Sequence, residues 1–529
     1  MKNSEAIRAS MDNLPPTGEI AGDAKNHAYG QILRSSAWIG ASSVLSMAIG
    51  LVRTKAMAVL LGPGGVGLLG LYTSIMDLAQ SIASMGINSS GVRQIAEAVG
   101  SGDAERIART AKVLRQTSIL LGVLAVVLLV AFSKQVSGIT FGTNEHGAAV
   151  ALLSVAVFFR LLSDAQGALI QGMRRIADLA KMSILSALFG TLISIPMVYF
   201  LREKGLVPYL VALAAVTLAT SWWFRRKINV HAVSITRFQA RQEQARLLKL
   251  GLAFMASGVM VMGTAYIIRI LVLRTVGFDA AGLYQCAWTL GGLYIGLILQ
   301  AMGADFYPRL TAIAEDHPEC NRLVNEQTQI SVLLAAPGVI ATLTFAPVVI
   351  ALIYSIKFEG AVTVLRWICL GGALRVISWP MGYIILAKGK QNLFFWSELA
   401  WTIVHVVLAW TCVNSFGLNG AGIAFFGSYV FHCFLIYPMV RRLTGFRWSK
   451  VNRQAGFIFL TLVAIVFCSS YLLSKWWAVG LGTCAMFLSG VYSIRSLLTL
   501  VSLDRIPRPI LRLLEWLRLS SVRLKELIT

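Results

Sequence analysis

The chain has 529 residues, of which 57% are apolar and 13% charged, against roughly a quarter charged in soluble domains. It carries 47 Lys and Arg against 24 Asp and Glu, a formal charge of +23, and its mean hydropathy is +0.70. These values exclude a soluble multidomain enzyme, a disordered chain and a coiled coil. They also argue against nucleic acid as a partner, leaving an anionic membrane face or an anionic substrate for the positive charge.

Residues 1–34 are polar, contain Pro15 and Pro16, and lack the short apolar core of a signal peptide, so they read as a cytoplasmic tail. About 20 apolar residues are needed to cross the hydrocarbon as a helix. Six such stretches follow, near 35–61, 68–90, 113–133, 148–171, 182–201 and 206–224. A basic linker occupies 225–249. Six more spans lie near 247–273, 281–304, 327–354, 361–386, 393–413 and 418–440, and two weaker ones near 455–473 and 477–497. Residues 501–529 end the chain. There Leu513, Leu514, Trp516 and Leu517 alternate with Arg512, Arg518, Arg523 and Lys525, the pattern of a basic amphipathic helix on the inner membrane surface. The reading is an all-α polytopic membrane protein. It has an N-lobe at 35–224, a C-lobe at 250–445 and two extra helices at 446–500.

Orientation follows from the loop cations. With the N-terminus inside, segments on the cytoplasmic side carry 35 Lys and Arg and those on the other side 6. An even number of spans then returns the C-terminus to the cytoplasm. Trp222, Trp223, Trp476 and Trp477 stand near span ends, where aromatic side chains anchor in the interface. The seven cysteines are dispersed without a CxxC pair and read as reduced thiols.

The two halves resemble each other at a shift of 215. Gly62, Gly67 and Leu68 fall on Gly277, Gly282 and Leu283; Arg160, Ser163, Gly167 and Ile170 fall on Arg375, Ser378, Gly382 and Ile385. With one residue of slippage Arg53 matches Arg269 and Arg93 matches Arg309. Six spans per half make this a parallel repeat about a pseudo-two-fold axis normal to the membrane, and two such lobes enclose a central cavity that opens to each side in turn.

Charges inside spans cost about 2.5–3.5 kcal/mol on insertion scales and persist where they face water, a partner or a ligand. Arg53, Arg269, Arg160 and Arg375 are therefore expected to line the cavity and to attract phosphate, which a guanidinium grips with a planar fork of donors. Arg93 and Arg309 stand at the inner mouth, as ligand contacts or topology anchors. Lys55 and Arg366 are out of phase with their arginine neighbours and are expected to snorkel. Asp77 and Asp305 have no acidic counterpart in the other half, which makes them candidates for ion coupling or counter-ions. Asp164, four residues after Arg160, is a candidate for the same roles. His405 and His432 are expected to be hydrogen-bonded helix contacts. No P-loop, HExxH or GxSxG motif occurs, and no metal site or cofactor is expected. Uphill transport would draw on a gradient of H+ or Na+, or of the substrate.

The run from Arg53-Thr54-Lys55 through Leu61-Gly62-Pro63-Gly64-Gly65-Val66-Gly67-Leu68, with Ser84-Met85-Gly86-Ile87 and Gly91-Val92-Arg93, resembles the opening of the O-antigen and enterobacterial-common-antigen flippases. Gly417-Leu418-Asn419-Gly420-Ala421-Gly422 and Asp305 to Leu310 resemble that family's second half. These flippases belong to the multidrug/oligosaccharidyl-lipid/polysaccharide (MOP) exporter superfamily. The resemblance implies a MATE-like, V-shaped pair of six-helix lobes around a hydrophilic cavity. It implies flipping of an undecaprenyl-diphosphate-linked oligosaccharide across a bacterial inner membrane for O-antigen or related lipopolysaccharide synthesis, with a polysaccharide polymerase and a chain-length regulator as partners. Such flippases have twelve spans, whereas lipid II flippases of the superfamily have fourteen, so that branch is an alternative. A multidrug cation antiporter needs an acidic or apolar cavity, and a membrane-embedded glycan ligase or polymerase needs a large outer loop; the arginines and the short loops disfavour both.

Overall fold

A computed structural model describes residues 17–228 and 236–500; the side chains at 17–41, 253, 300–305 and 499–500 fall outside the description. The described residues form helices and short turns with no strand. In chain order the α-helices are α1 (Thr17–Ala83), α2 (Ile87–Gly100), α3 (Ala104–Ala131), α4 (Ser133–Phe141), α5 (Gly147–Gly172), α6 (Ile176–Leu201), α7 (Leu206–Arg226) and α8 (Arg237–Val276). They continue as α9 (Phe278–Ala312), α10 (His317–Thr344), α11 (Ala346–Ile353), α12 (Ala361–Ala387), α13 (Gln391–Phe416), α14 (Leu418–Thr444), α15 (Lys450–Leu472) and α16 (Lys475–Leu500).

Among the described residues, twelve continuous stretches are long and apolar enough to cross a membrane. Two of them are too long for one crossing. The stretch Ser42–Ala83 has 42 residues and Ile176–Arg226 has 51, and at about 1.5 Å per residue each exceeds twice the hydrocarbon thickness or nearly so. Each is also broken near its middle. Gly62 leaves helical geometry at φ 68°, ψ −173°, and Pro63 behind it restarts the helix from a position that needs no N–H. Arg202–Gly205 form a 3-10 turn between α6 and α7. Counting each broken stretch twice gives fourteen crossings.

The ends are set by local chemistry. The Asp103 carboxylate accepts from the Arg106 amide at 2.8 Å to start α3, and Asp316 accepts from the Glu319 amide at 3.1 Å to start α10. Thr236 and Gln239 form a reciprocal capping box at α8, and Ser449 caps α15. These caps begin α3, α8 and α10 about ten residues ahead of the apolar windows, because capping rather than hydropathy decides where a helix starts. The span expected over 327–354 is instead α10 and the short α11, with Pro347 in the first turn of α11. Two helices went unforeseen, α2 and α4: both are too short or too polar to register as spans.

Backbone features recur at the 215-residue spacing. Positive φ occurs at Gly62 and Gly277, at Arg174 and Gly389, and at Arg202 and Gly417. The bounds Ile176–Leu201 and Gln391–Phe416 are offset by the same amount.

The N-terminal half is cored by residues such as Met57, Leu153, Val157, Leu161 and Leu206. The C-terminal core includes Ala335, Val364, Leu365 and Ala421, and draws in Phe459, Val463 and Val466 of α15. Large apolar side chains cover the outside, among them Val127, Leu192, Trp410 and Phe457. Such a surface is unworkable in water and natural in hydrocarbon. Trp222, Trp223, Trp476 and Trp477 are all exposed. All seven cysteines are free thiols. The amphipathic stretch expected over 501–529 lies outside the described residues.

The halves touch through glycines. A Cβ built on Gly282 would sit 1.8 Å from the Pro63 carbonyl oxygen, and one on Gly67 would sit 2.5 Å from that of Phe278. Near the other end, Cβ atoms built on Gly86 and Gly251 would lie 2.0 and 2.3 Å from the carbonyl oxygens of Gly251 and Met85. Between these pinches the bundle is hollow.

Candidate transport cavity

A polar hollow of about 620 Å³ opens among α1, α5, α6 and α7 of the first half and reaches Gln285, Thr289 and Tyr354 of the second. Arg53, Asp77, Arg160 and Asp164 all line it. The Arg160 Nη1 donates to Asp77 Oδ1 at 2.7 Å, with both side chains about one-third exposed. Asp164 accepts from Gln80 and from Asn88 Nδ2 at 3.4 Å. Arg53 is half-buried and has no carboxylate within ion-pair distance among the described residues. Two guanidinium groups and two carboxylates therefore line the cavity, and one cation, Arg53, is left without a counter-ion. The Tyr354 phenol also lines the wall.

Arg269 stands behind the wall of this cavity. Its Nε donates to Gln285 Oε1 at 2.8 Å and its Nη1 to the Ala265 carbonyl at 3.1 Å. Asp77 lies within electrostatic reach of it. Arg375 is elsewhere. It lines a second hollow of about 310 Å³ among α8, α9, α12, α13 and α14. The four arginines expected around one chamber are thus divided. Arg53 and Arg160 share the first, Arg269 stands in the partition, and Arg375 occupies the second. Helix phase explains the division: α9 and its Gln285 project between the two groups.

Arg93 and Arg309, expected at the mouth, line neither hollow. Arg93 is exposed and paired with Glu97 at 3.0 Å on α2, and Arg309 is exposed in the last turn of α9. The Asp305 side chain lies outside the described residues. Lys55, expected to snorkel, donates to the Ala351 carbonyl of α11 at 2.9 Å and so ties the halves together. Arg366 lies over the Tyr471 ring at 6.0 Å, facing α15. His432 Nδ1 is 3.0 Å from Ser378 Oγ, as a hydrogen-bonded helix contact should be. His405 has no such partner on either nitrogen. No cluster of three metal-ligating residues occurs among the described residues.

The sequence reading missed Gln285 and the aromatic and acidic walls of the second hollow. A signal was present: Glu398, Trp401 and His405 are spaced three and four apart and share one helix face.

The family model for polysaccharide biosynthesis proteins matches residues 56–363, more than half the chain. The chain belongs to the polysaccharide biosynthesis protein family. A lipid III flippase of Escherichia coli (strain K12) is 22% identical over 428 residues, covering 78% of this chain and 99% of that protein. Among solved structures, the lipid II flippase MurJ in an inward closed conformation aligns with a TM-score of 0.65 and 13% identity, over 87% of this chain and 99% of its own. An inward-facing multidrug-resistance MATE transporter of the MOP superfamily aligns with a TM-score of 0.63 and 16% identity, over 76% and 98%. The fold of this polysaccharide biosynthesis protein is therefore the MOP transporter fold, and these relatives are flippases and transporters rather than enzymes.

Proposed function

We propose that this polysaccharide biosynthesis protein flips an undecaprenyl-diphosphate-linked oligosaccharide, an O-antigen or related repeat unit, across the bacterial inner membrane. The observation that carries the reading is Arg53, a guanidinium without a counter-ion in a polar chamber inside a membrane bundle. Such a group is costly unless something anionic visits it. A diphosphate headgroup matches both its charge and its fork of donors. Arg160 is restrained by Asp77, and Arg269 adds positive potential from behind Gln285. The lipid III flippase relative, spanned almost completely by the alignment, supports the substrate class.

Transport proceeds by alternating access, the halves parting at the Gly67–Gly282 contact or at the Gly86–Gly251 contact in turn. Both termini face the cytoplasm, as the loop cations require. Asp77, Asp164 and Asp305 are the acids available to couple flipping to an H+ or Na+ gradient. A polymerase and a chain-length regulator would receive the product. Lipid II transport is the second reading: the MurJ structure covers more of this chain than the MATE structure does.

The test is genetic. A strain lacking the gene should accumulate a diphosphate-linked glycolipid on the inner leaflet, which wild type clears and Arg53→Ala does not. A deletion strain with no such accumulation would refute the reading.

A further inference from the structure

The second hollow is walled by rings. Trp288, Trp379, Tyr383, Trp401, Phe425 and Tyr429 line its 310 Å³, within the size range of small-ligand pockets, about 300–1,000 Å³. Its polar groups are unusual for so enclosed a place. Arg375 Nε, Trp401 Nε1 and both nitrogens of His405 are buried without hydrogen-bond partners among the described residues, and the His405 residue is only 1% exposed. Glu398 lines the same hollow and makes no ion pair within 4 Å among the described residues. A buried donor or acceptor left unsatisfied costs about 1–3 kcal/mol. All four atoms belong to residues that line one cavity, so its walls carry hydrogen-bonding capacity that the described residues do not use.

The occupant's chemistry follows from the walls. Two N–H donors, a carboxylate acceptor and an imidazole that does either are the complement of a polyol, whose hydroxyls donate and accept along one edge. Aromatic faces complement the C–H faces of a saturated ring. An acyl chain would leave all four atoms unsatisfied. A cationic drug would meet the Arg375 guanidinium, which already lies over the rings of Trp379 at 5.7 Å and Tyr429 at 6.0 Å.

We infer that the Trp401–His405–Glu398 face of the second hollow is a saccharide subsite that binds the sugar proximal to the diphosphate. The inference rests on the proposed glycolipid substrate and adds where its specificity is read. Arg269 connects the two chambers. It donates on one side to Gln285, which lines the first cavity, and on the other to the carbonyl of Ala265, which lines the second. In this arrangement the diphosphate sits beside Arg53 at the partition, and the attached sugar occupies the aromatic hollow on its other side.

The test uses the purified full-length chain in detergent micelles and two probes, bare undecaprenyl diphosphate and the diphosphate-linked glycolipid extracted from a strain lacking the gene. Wild type should bind the glycolipid about tenfold more tightly than the bare lipid, or about 1.4 kcal/mol. His405→Phe removes no hydrogen bond made within the protein and keeps the ring, so it should fold normally. It and Glu398→Gln should each erase most of the tenfold preference while leaving bare-lipid affinity unchanged. A preference that survives both variants overturns the subsite and leaves the hollow a hydrated core. Wild type that binds neither lipid overturns the proposed function and the subsite together.

Discussion

Arg53 and Arg160 share a cavity and play different parts in it. Arg160 is fixed by Asp77, so its removal strands a half-buried carboxylate. Arg160→Ala should lower the thermal midpoint, because it leaves the Asp77 carboxylate without its partner, and Arg160→Ala with Asp77→Ala should recover part of that loss. Differential scanning fluorimetry in detergent reads both. Arg53 has no partner to strand, so Arg53→Ala should leave the midpoint unchanged while transport is lost. Arg53→Lys should retain partial transport if charge alone matters, and none if the fork is required. Arg174 offers a separate test. It holds φ 56° where the equivalent position is Gly389 at φ 67°, and a side chain in the left-handed region costs about 1–2 kcal/mol. Its side chain is exposed, so Arg174→Gly should raise the midpoint. At this scale the sequence draws attention to intramembrane charge, because charge in hydrocarbon is rare enough to stand out. It did not say which charges pair: Asp77 and Arg160 are 83 residues apart, and only tertiary packing joins them.

Among the elements, long apolar helices were the most legible feature, since hydrocarbon thickness sets their length and backbone satisfaction forces them to be helical. What hydropathy could not show was where they pinch. The Gly67 and Gly282 contacts are close approaches of backbone to backbone, and glycines of this kind look the same in sequence as glycines that simply line a helix. Gly282→Val should wedge α9 from α1. Cysteines introduced at Gly64 and Asp279, which adjoin in this structure, should cross-link readily in the parent and several-fold less with the valine present. Equal cross-linking would show that the contact tolerates a side chain and is not a point of closure.

In the whole molecule, the α15–α16 hairpin seats on α10 as part of the second half's core. In lipid, apolar burial between helices gives little net driving force, so close packing and hydrogen bonds must hold it. Both are present. Gly482 approaches Thr344 so closely that a built Cβ would sit 2.3 Å from its hydroxyl. Asn452 Nδ2 donates to the Asn325 carbonyl at 2.7 Å, and the Ser449 amide to Asn325 Oδ1 at 2.8 Å. Asn325→Leu should therefore loosen the hairpin, seen as faster proteolysis between α14 and α15, without touching the cavity. The 215-residue spacing at which backbone features recur was visible in the sequence because it is a sum over many residues. The partition between two chambers was not, because it depends on how α8 and α9 pack and which way Arg269 and Gln285 point.

The central claim is that a guanidinium without a counter-ion in a polar chamber receives a diphosphate headgroup. Its most direct measurement is glycolipid transfer between leaflets in proteoliposomes at matched protein density, comparing wild type with Arg53→Ala and with Arg53→Ala plus Arg269→Ala. The account predicts that Arg53→Ala slows transfer by about tenfold or more, the worth of one charge-assisted contact, in folded protein of unchanged thermal midpoint, and that adding Arg269→Ala slows it further. Transfer at the wild-type rate in the doubly substituted protein would contradict it.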